Sequence, residues 1–237
     1  MTDFPPAAPA MHHIRDHRSL VAGLERRLLV WLARRMPLSV TSDHLSLLGL
    51  TSMMAVGASF AAVRLTPWSA AAVIGALAAN WFGDSLDGTV ARVRGQERPR
   101  YGFYVDHVLD LAGTTCLFAG LACSGRMSPI VALALLSAYL LVSAQAFLAT
   151  HSTGRFQLSF LGVGPTELRI FLAVGAVWMI RKPWVSIAGL APVRPFDLGG
   201  IVAIAALAIT FAVSASRNAR TLYLAEPSGA RTGSKAA

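Results

Sequence analysis

The chain is short of charge. Of its 237 residues, 14% are Asp, Glu, Lys or Arg, while 54% are hydrophobic. A soluble domain carries about 25% charged residues. With its apolar residues gathered into long blocks, the chain does not read as several soluble domains. It reads as one all-α integral membrane bundle. Cysteine is also scarce. Cys116 and Cys123 are the two present, and seven positions along one helix separate them by about 10 Å. That is too far for an intrahelical disulfide, so both read as small apolar packing residues. An apolar leader is missing as well. The opening MTDFPPAAPAMHHIRDHRS is polar and Pro-rich, so no cleavable signal peptide is expected. No internal repeat is visible.

Acids are fewer than bases, 12 against 21, giving a net charge of +9. The arginines cluster beside apolar segments. That placement fits anionic lipid heads and membrane topology, so no nucleic-acid partner is expected. Residues 1–14 are expected to be disordered. Residues 17–36 put Leu20, Leu24, Leu28, Trp31 and Leu32 on one face, with Arg26, Arg27, Arg34 and Arg35 towards the other. This predicts an N-terminal amphipathic helix at the membrane interface. Six apolar segments follow, near 43–63, 68–91, 104–123, 128–150, 166–181 and 198–216. Six transmembrane helices are therefore expected within a membrane domain over 15–221, with a disordered tail over 222–237. Basic residues concentrate before the first span, between the second and third, and after the last. Fewer (Arg64, Arg126, Arg181, Lys182 and Arg194) lie on the other side. The positive-inside rule then puts both termini on the cytoplasmic side.

One window holds four of the scarce acids. Asp84 and Asp87 are three apart near the end of the second span, and Asp106 and Asp110 are four apart at the start of the third. Each pair shares a helix face. A turn containing Gly95, Pro99 and Gly102 would make the two helices antiparallel, so their acidic cytoplasmic ends would meet. Such a group is costly. One Asp at a helix centre in lipid costs ~2.5–3.5 kcal/mol, and repulsion at ~6 Å adds about 3 kcal/mol per pair. Arg92 alone cannot neutralise it. Two divalent cations, Mg2+ or Mn2+, suit a donor set of carboxylate oxygens. Paired metals are a common device for phosphoryl chemistry. Gly88 lets a bulky group approach the backbone, Ala91 is small, Arg92 offers a fork for phosphate, and Gly102 could clear space on the facing helix. Each taken alone is equally a packing or anchoring residue.

The full spacing, Asp84-x2-Asp87-Gly88-x2-Ala91-Arg92-x9-Gly102-x3-Asp106-x3-Asp110, resembles the signature of the CDP-alcohol phosphotransferase (CDP-alcohol phosphatidyltransferase) family. TSDHLSLLGL from Thr41 is similar to the family's usual opening of the first span, TPNxLTxLGL, with Ser42, Asp43 and Ser46 where Pro, Asn and Thr are usual. The resemblance implies transfer of a substituted phosphate from a CDP-alcohol to a lipid or small-alcohol acceptor hydroxyl, with release of CMP. It implies that Asp84, Asp87, Asp106 and Asp110 hold two divalent metals. Gly88, Ala91, Arg92 and Gly102 would contact or make room for the CDP part, and Asp110 would help deprotonate the acceptor. The family also implies membrane-lipid neighbours, a bacterial inner membrane location and, commonly, a homodimer, for which Gly57, Ser59 and Ala61 permit close helix contact.

Two details bear on the donor. DHVLD resembles the DHGCD of choline and ethanolamine phosphotransferases, in which His107 would be a candidate base. GVGPTELRI resembles a Gly-Pro-Thr-Glu stretch of that branch, in which Glu167 would orient His107 or bind a cationic head group. His107 reads equally as a helix-end residue, and Glu167 as a first-turn acid. In length the chain instead resembles family members that take CDP-diacylglycerol, so both donors stay open. Arg94, Arg98, Arg100 and Arg155 would then bind a phosphorylated acceptor or simply anchor topology. Two other classes compete. A membrane prenyltransferase needs two separate Asp-rich motifs and more spans. A divalent-cation transporter keeps its acids near the midplane, often at broken helices, whereas these lie at helix ends.

Overall fold

The computed structural model describes residues 22–66, 68–153, 165–181, 184–186 and 192–226. Among them are seven α-helices: α1 (Ala22–Arg35), α2 (Ser42–Ala61), α3 (Ser69–Val93), α4 (Pro99–Cys123), α5 (Pro129–Thr153), α6 (Pro165–Arg181) and α7 (Pro195–Ala225). No strand is present among the described residues beyond a single bridge between Val185 and Val193. Among the described residues, four elements are long and apolar enough to cross a membrane: Ser42–Arg64, Pro99–Cys123, Pro129–Thr153 and Pro195–Ala225. The segment 1–14 and the end of the expected tail, 227–237, lie outside the described residues, and α7 runs four residues into that tail.

Helix boundaries follow local chemistry. Thr41 caps α2, accepting a bond from the His44 N–H, while the His44 ring accepts from the Thr41 N–H, both at 3.3 Å. The third apolar segment begins earlier than expected. Pro99 is the first residue of α4, so Pro99 and Gly102 belong to the helix rather than to the turn. The turn is 94–98, where Gly95 takes φ +64°. Arg94 locks it in place, donating to the carbonyl oxygens of Val40 at 2.6 Å and Pro37 at 2.9 Å.

Helix α2 is the centre of the bundle, packing most closely on α3 and α4. Glycines set these approaches. A Cβ on Gly83 would sit 2.6 Å from the Leu45 carbonyl oxygen and 2.7 Å from the Gly49 nitrogen. At the other end of α2, a Cβ on Gly57 or on Gly120 would strike backbone of the facing helix. The bare backbone of Gly57 is therefore taken up by α4 within one protomer.

The apolar core is built by Val56, Phe60, Val73, Leu77, Leu117 and Leu121, all buried. A smaller cluster seats α1, where Leu29, Leu32, Ala33 and Met36 meet Leu45, Leu86 and Val90. The expected apolar face of α1 is thus split. Leu32 turns inward, but Leu28 and Trp31 are about half exposed, at 46% and 49%. Arg35 lies over the Trp31 ring, 4.0 Å from its centroid. Packing against α3 decides this, together with the Trp81 indole N–H donating to Glu25 at 2.8 Å.

Candidate active site

The close contact at Gly83 places the carboxyl-bearing end of α3 against the first turns of α2. Antiparallel α4 then brings its own two acids to the same place. Carboxylate oxygens of Asp84, Asp106 and Asp110 lie within 4.8 Å of one another. Asp87 joins them around one small cavity of about 20 Å³, whose walls also include Ser46, Gly49, Met53 and Asn80. All four sequence-predicted acids thus meet.

Three groups hold the acids in place. The Ser46 hydroxyl donates to Asp87 at 2.7 Å, and the Gly88 N–H donates to the other oxygen of the same carboxylate. Arg169 of α6 forms an ion pair with Asp84 and donates through Nε to the Asn80 side-chain oxygen at 2.7 Å. Asn80 is buried, and its amide nitrogen donates to the Gly49 carbonyl at 3.0 Å. Sequence reading missed Arg169 and Asn80. Arg169 sits two residues past Glu167, in a stretch read only for its glutamate. A basic residue inside an apolar span was the signal available. The Glu167 side chain and Arg155 lie outside the described residues.

The donor set is all oxygen: four carboxylates, with the Arg169 guanidinium on Asp84 among the described residues. That chemistry fits hard divalent cations, and the oxygens are close enough to share them. Arg169 relieves part of the repulsion at Asp84.

The remaining signature residues lie at the same end of the bundle as the acids. Arg92 donates to Thr89 at 3.1 Å and is exposed. Its guanidinium lies over Gly88, 3.3 Å from where a Cβ would stand. Ala91 lines a second, wider cavity of about 400 Å³ with Thr41, Ser42, Asp43, Gln96 and Arg98. Arg98 closes one side of it, donating to Asp43 at 2.7 Å. That hydrogen bond raises the Arg98 pKa above the usual guanidinium value. Gly102 has nothing within 4 Å of the position a Cβ would take. Gly102→Leu is therefore expected to keep the thermal midpoint of the wild type while raising KM for the donor. An unchanged KM would remove Gly102 from the ligand's path.

His107 is not among the residues lining the acidic cavity. Its ring packs on Phe103, 4.2 Å between centroids, and edge-on to Phe147 of α5 at 5.4 Å. Its Nδ1 lies 2.8 Å from the Phe103 carbonyl oxygen and 3.6 Å from an Asp106 oxygen. The structure thus puts the imidazole beside the cluster, on the flank that meets α5. Both cysteines are free thiols.

Residues 40–213 match the CDP-alcohol phosphatidyltransferase family. Among solved structures the chain is similar to the crystal structure of Mycobacterium tuberculosis phosphatidylinositol phosphate synthase with CDP-DAG bound. The TM-score is 0.56 at 22% identity, over 83% of this chain and 94% of that one, a likeness of fold. A comparison with curated proteins found no match.

Proposed function

The chain belongs to the CDP-alcohol phosphatidyltransferase family, and from that premise we propose which of its residues carry the reaction and which donor they take. Membership makes it a membrane transferase of phospholipid synthesis, moving a substituted phosphate from a CDP-alcohol to an acceptor hydroxyl with release of CMP. In our reading α2 to α7 are six spans, α1 lies at the interface, and the acidic cavity opens to the cytoplasm of a bacterial cell. The observation that carries the site assignment is the convergence of Asp84, Asp87, Asp106 and Asp110 on one cavity.

Those four acids would hold two divalent cations, which when bound draw charge from the diphosphate and make CMP a better leaving group. Ser46 and the Gly88 N–H fix the Asp87 carboxylate, and Arg169 fixes that of Asp84. The wide cavity beside Ala91 accepts the nucleotide, with Arg92 poised over Gly88 for a phosphate oxygen. Asp110 lines the cavity and takes the proton from the acceptor hydroxyl. CDP-diacylglycerol is the proposed donor, consistent with the ligand of the structurally similar synthase and with the many apolar side chains exposed along α5 and α7, where acyl chains can lie.

The test is CMP release by purified protein in lipid with Mg2+ or Mn2+ and lipid or small-alcohol acceptors, comparing CDP-diacylglycerol with CDP-choline and CDP-ethanolamine. Of the three donors only CDP-diacylglycerol is expected to turn over, and a preference for an aminoalcohol donor would reverse the donor assignment. In the same assay His107→Ala should cost less than about tenfold, because the ring is held by Phe103 and Phe147 outside the cavity lining. A loss of ~10²–10⁴-fold would instead make His107 the base.

A further inference from the structure

The end of the bundle away from the acids carries a different imbalance. Arg64 ends the short 3-10 turn after α2, Arg126 lies in the turn between α4 and α5, and Arg194 caps α7. Arg181 and Lys182 belong to the same end by sequence. Asp197 is the acid there, and it is already engaged. Its carboxylate accepts the Ser128 N–H at 2.6 Å and reaches Arg194 only at 4.0 Å.

Arg64 and Arg126 meet at the turn after α4, and Asp197 ties the start of α7, which Arg194 caps, to Ser128 of the same turn. Gly125 adopts φ +65°, and a Cβ there would come within 2.7 Å of the Arg64 guanidinium. Ser124, next to it, is fully buried and receives the Arg126 N–H at 3.0 Å. Arg194 lies over the Trp184 ring at 5.1 Å. The Nε atoms of Arg126 and Arg194 are buried and have no hydrogen-bond partner among the described residues. Leaving such donors unmatched is costly. Leu65, Trp68, Ile130 and Trp184 stand exposed at the same level, as aromatic and apolar side chains do at a lipid interface. Guanidinium groups at that depth sit where lipid phosphates lie.

We propose that Arg64, Arg126 and Arg194 form a binding site for the phosphodiester head group of an anionic phospholipid in the leaflet opposite the active site. The positive-inside rule leaves these arginines unexplained, because it predicts few basic residues on that side. Planar forks on a bulky, weakly hydrated cation suit a phosphodiester. The inference rests on the membrane placement and not on the reaction assigned to the acids.

The experiment is a titration of purified protein in neutral detergent with phosphatidylglycerol, followed by native mass spectrometry. Phosphatidylcholine and soluble glycerol phosphate serve as separate arms. Wild type should bind phosphatidylglycerol more tightly than phosphatidylcholine. The double variant Arg126→Gln/Arg194→Gln should weaken the tight mode by about fivefold for each arginine removed, while its CMP release stays at the wild-type rate. A control pair on α1, Arg26→Gln/Arg34→Gln, should leave that mode in place. If the far-end pair fails to fold, the exposed Arg64→Gln provides the same reading, with about a fivefold loss. Wild-type affinity in these far-end variants, or a loss confined to the α1 pair, overturns the site. Full competition by glycerol phosphate overturns the lipid assignment.

Discussion

Asp110→Asn is expected to slow CMP release by ~10²–10⁴-fold with no fall in thermal midpoint. Asp110 is the most exposed of the three acids whose oxygens cluster, and among the described residues no hydrogen bond to another helix depends on it in the way that Arg169 depends on Asp84. Removing its charge also relieves repulsion from Asp84 and Asp106. Activity and stability should therefore separate in this variant. Asp84→Asn does not separate them, because it also breaks the pair with Arg169 on another helix, and loss of a partly buried pair is itself destabilising. Turnover by Asp110→Asn at the wild-type rate, measured as CMP released from saturating donor, would falsify its role as base.

Gly120→Ala is expected to damage the fold, and through it the site. A single methyl group at this position would fall on the Gly57 backbone carbonyl. No flexible side chain can yield there, so α2 and α4 must separate. Overpacking of this kind costs about 1–3 kcal/mol, which lowers the thermal midpoint by roughly 2–4 °C for each kcal/mol in a chain of this size. Activity should fall further than stability suggests. Helix α2 carries Ser46, and α4 carries Asp106 and Asp110, so separation opens the cavity they share. Misplacement by about 1 Å can cost ~10²-fold in rate. Gly75→Ala is the control, since nothing lies within 4 Å of its Cβ position. Equal midpoints for the two variants would show that the α2–α4 contact is looser than described.

Much of this was legible without coordinates. Six apolar segments became six helices, because each is a continuous apolar run bounded by a polar stretch or a proline. The pairing of Asp84 with Asp87, and of Asp106 with Asp110, followed from spacings of three and four, a local property of any helix. The turn between them was harder to place. Pro99 reads as a breaker, yet at the first position of a helix its missing N–H costs nothing.

The sequence by itself determined the membrane class, the helices, the two acidic pairs and the family signature, since each depends on residues close together along the chain. Tertiary structure alone decided which faces meet. It turned Leu29 and Ala33 inward and left Trp31 outside. It gave Gly57 to α4, set His107 against Phe147, and carried Arg169 to Asp84 across 85 residues of chain. Helical periodicity fixes angles around one axis but not the rotation of that axis against its neighbours. Here that rotation is set where bare glycine backbone lets two helices touch.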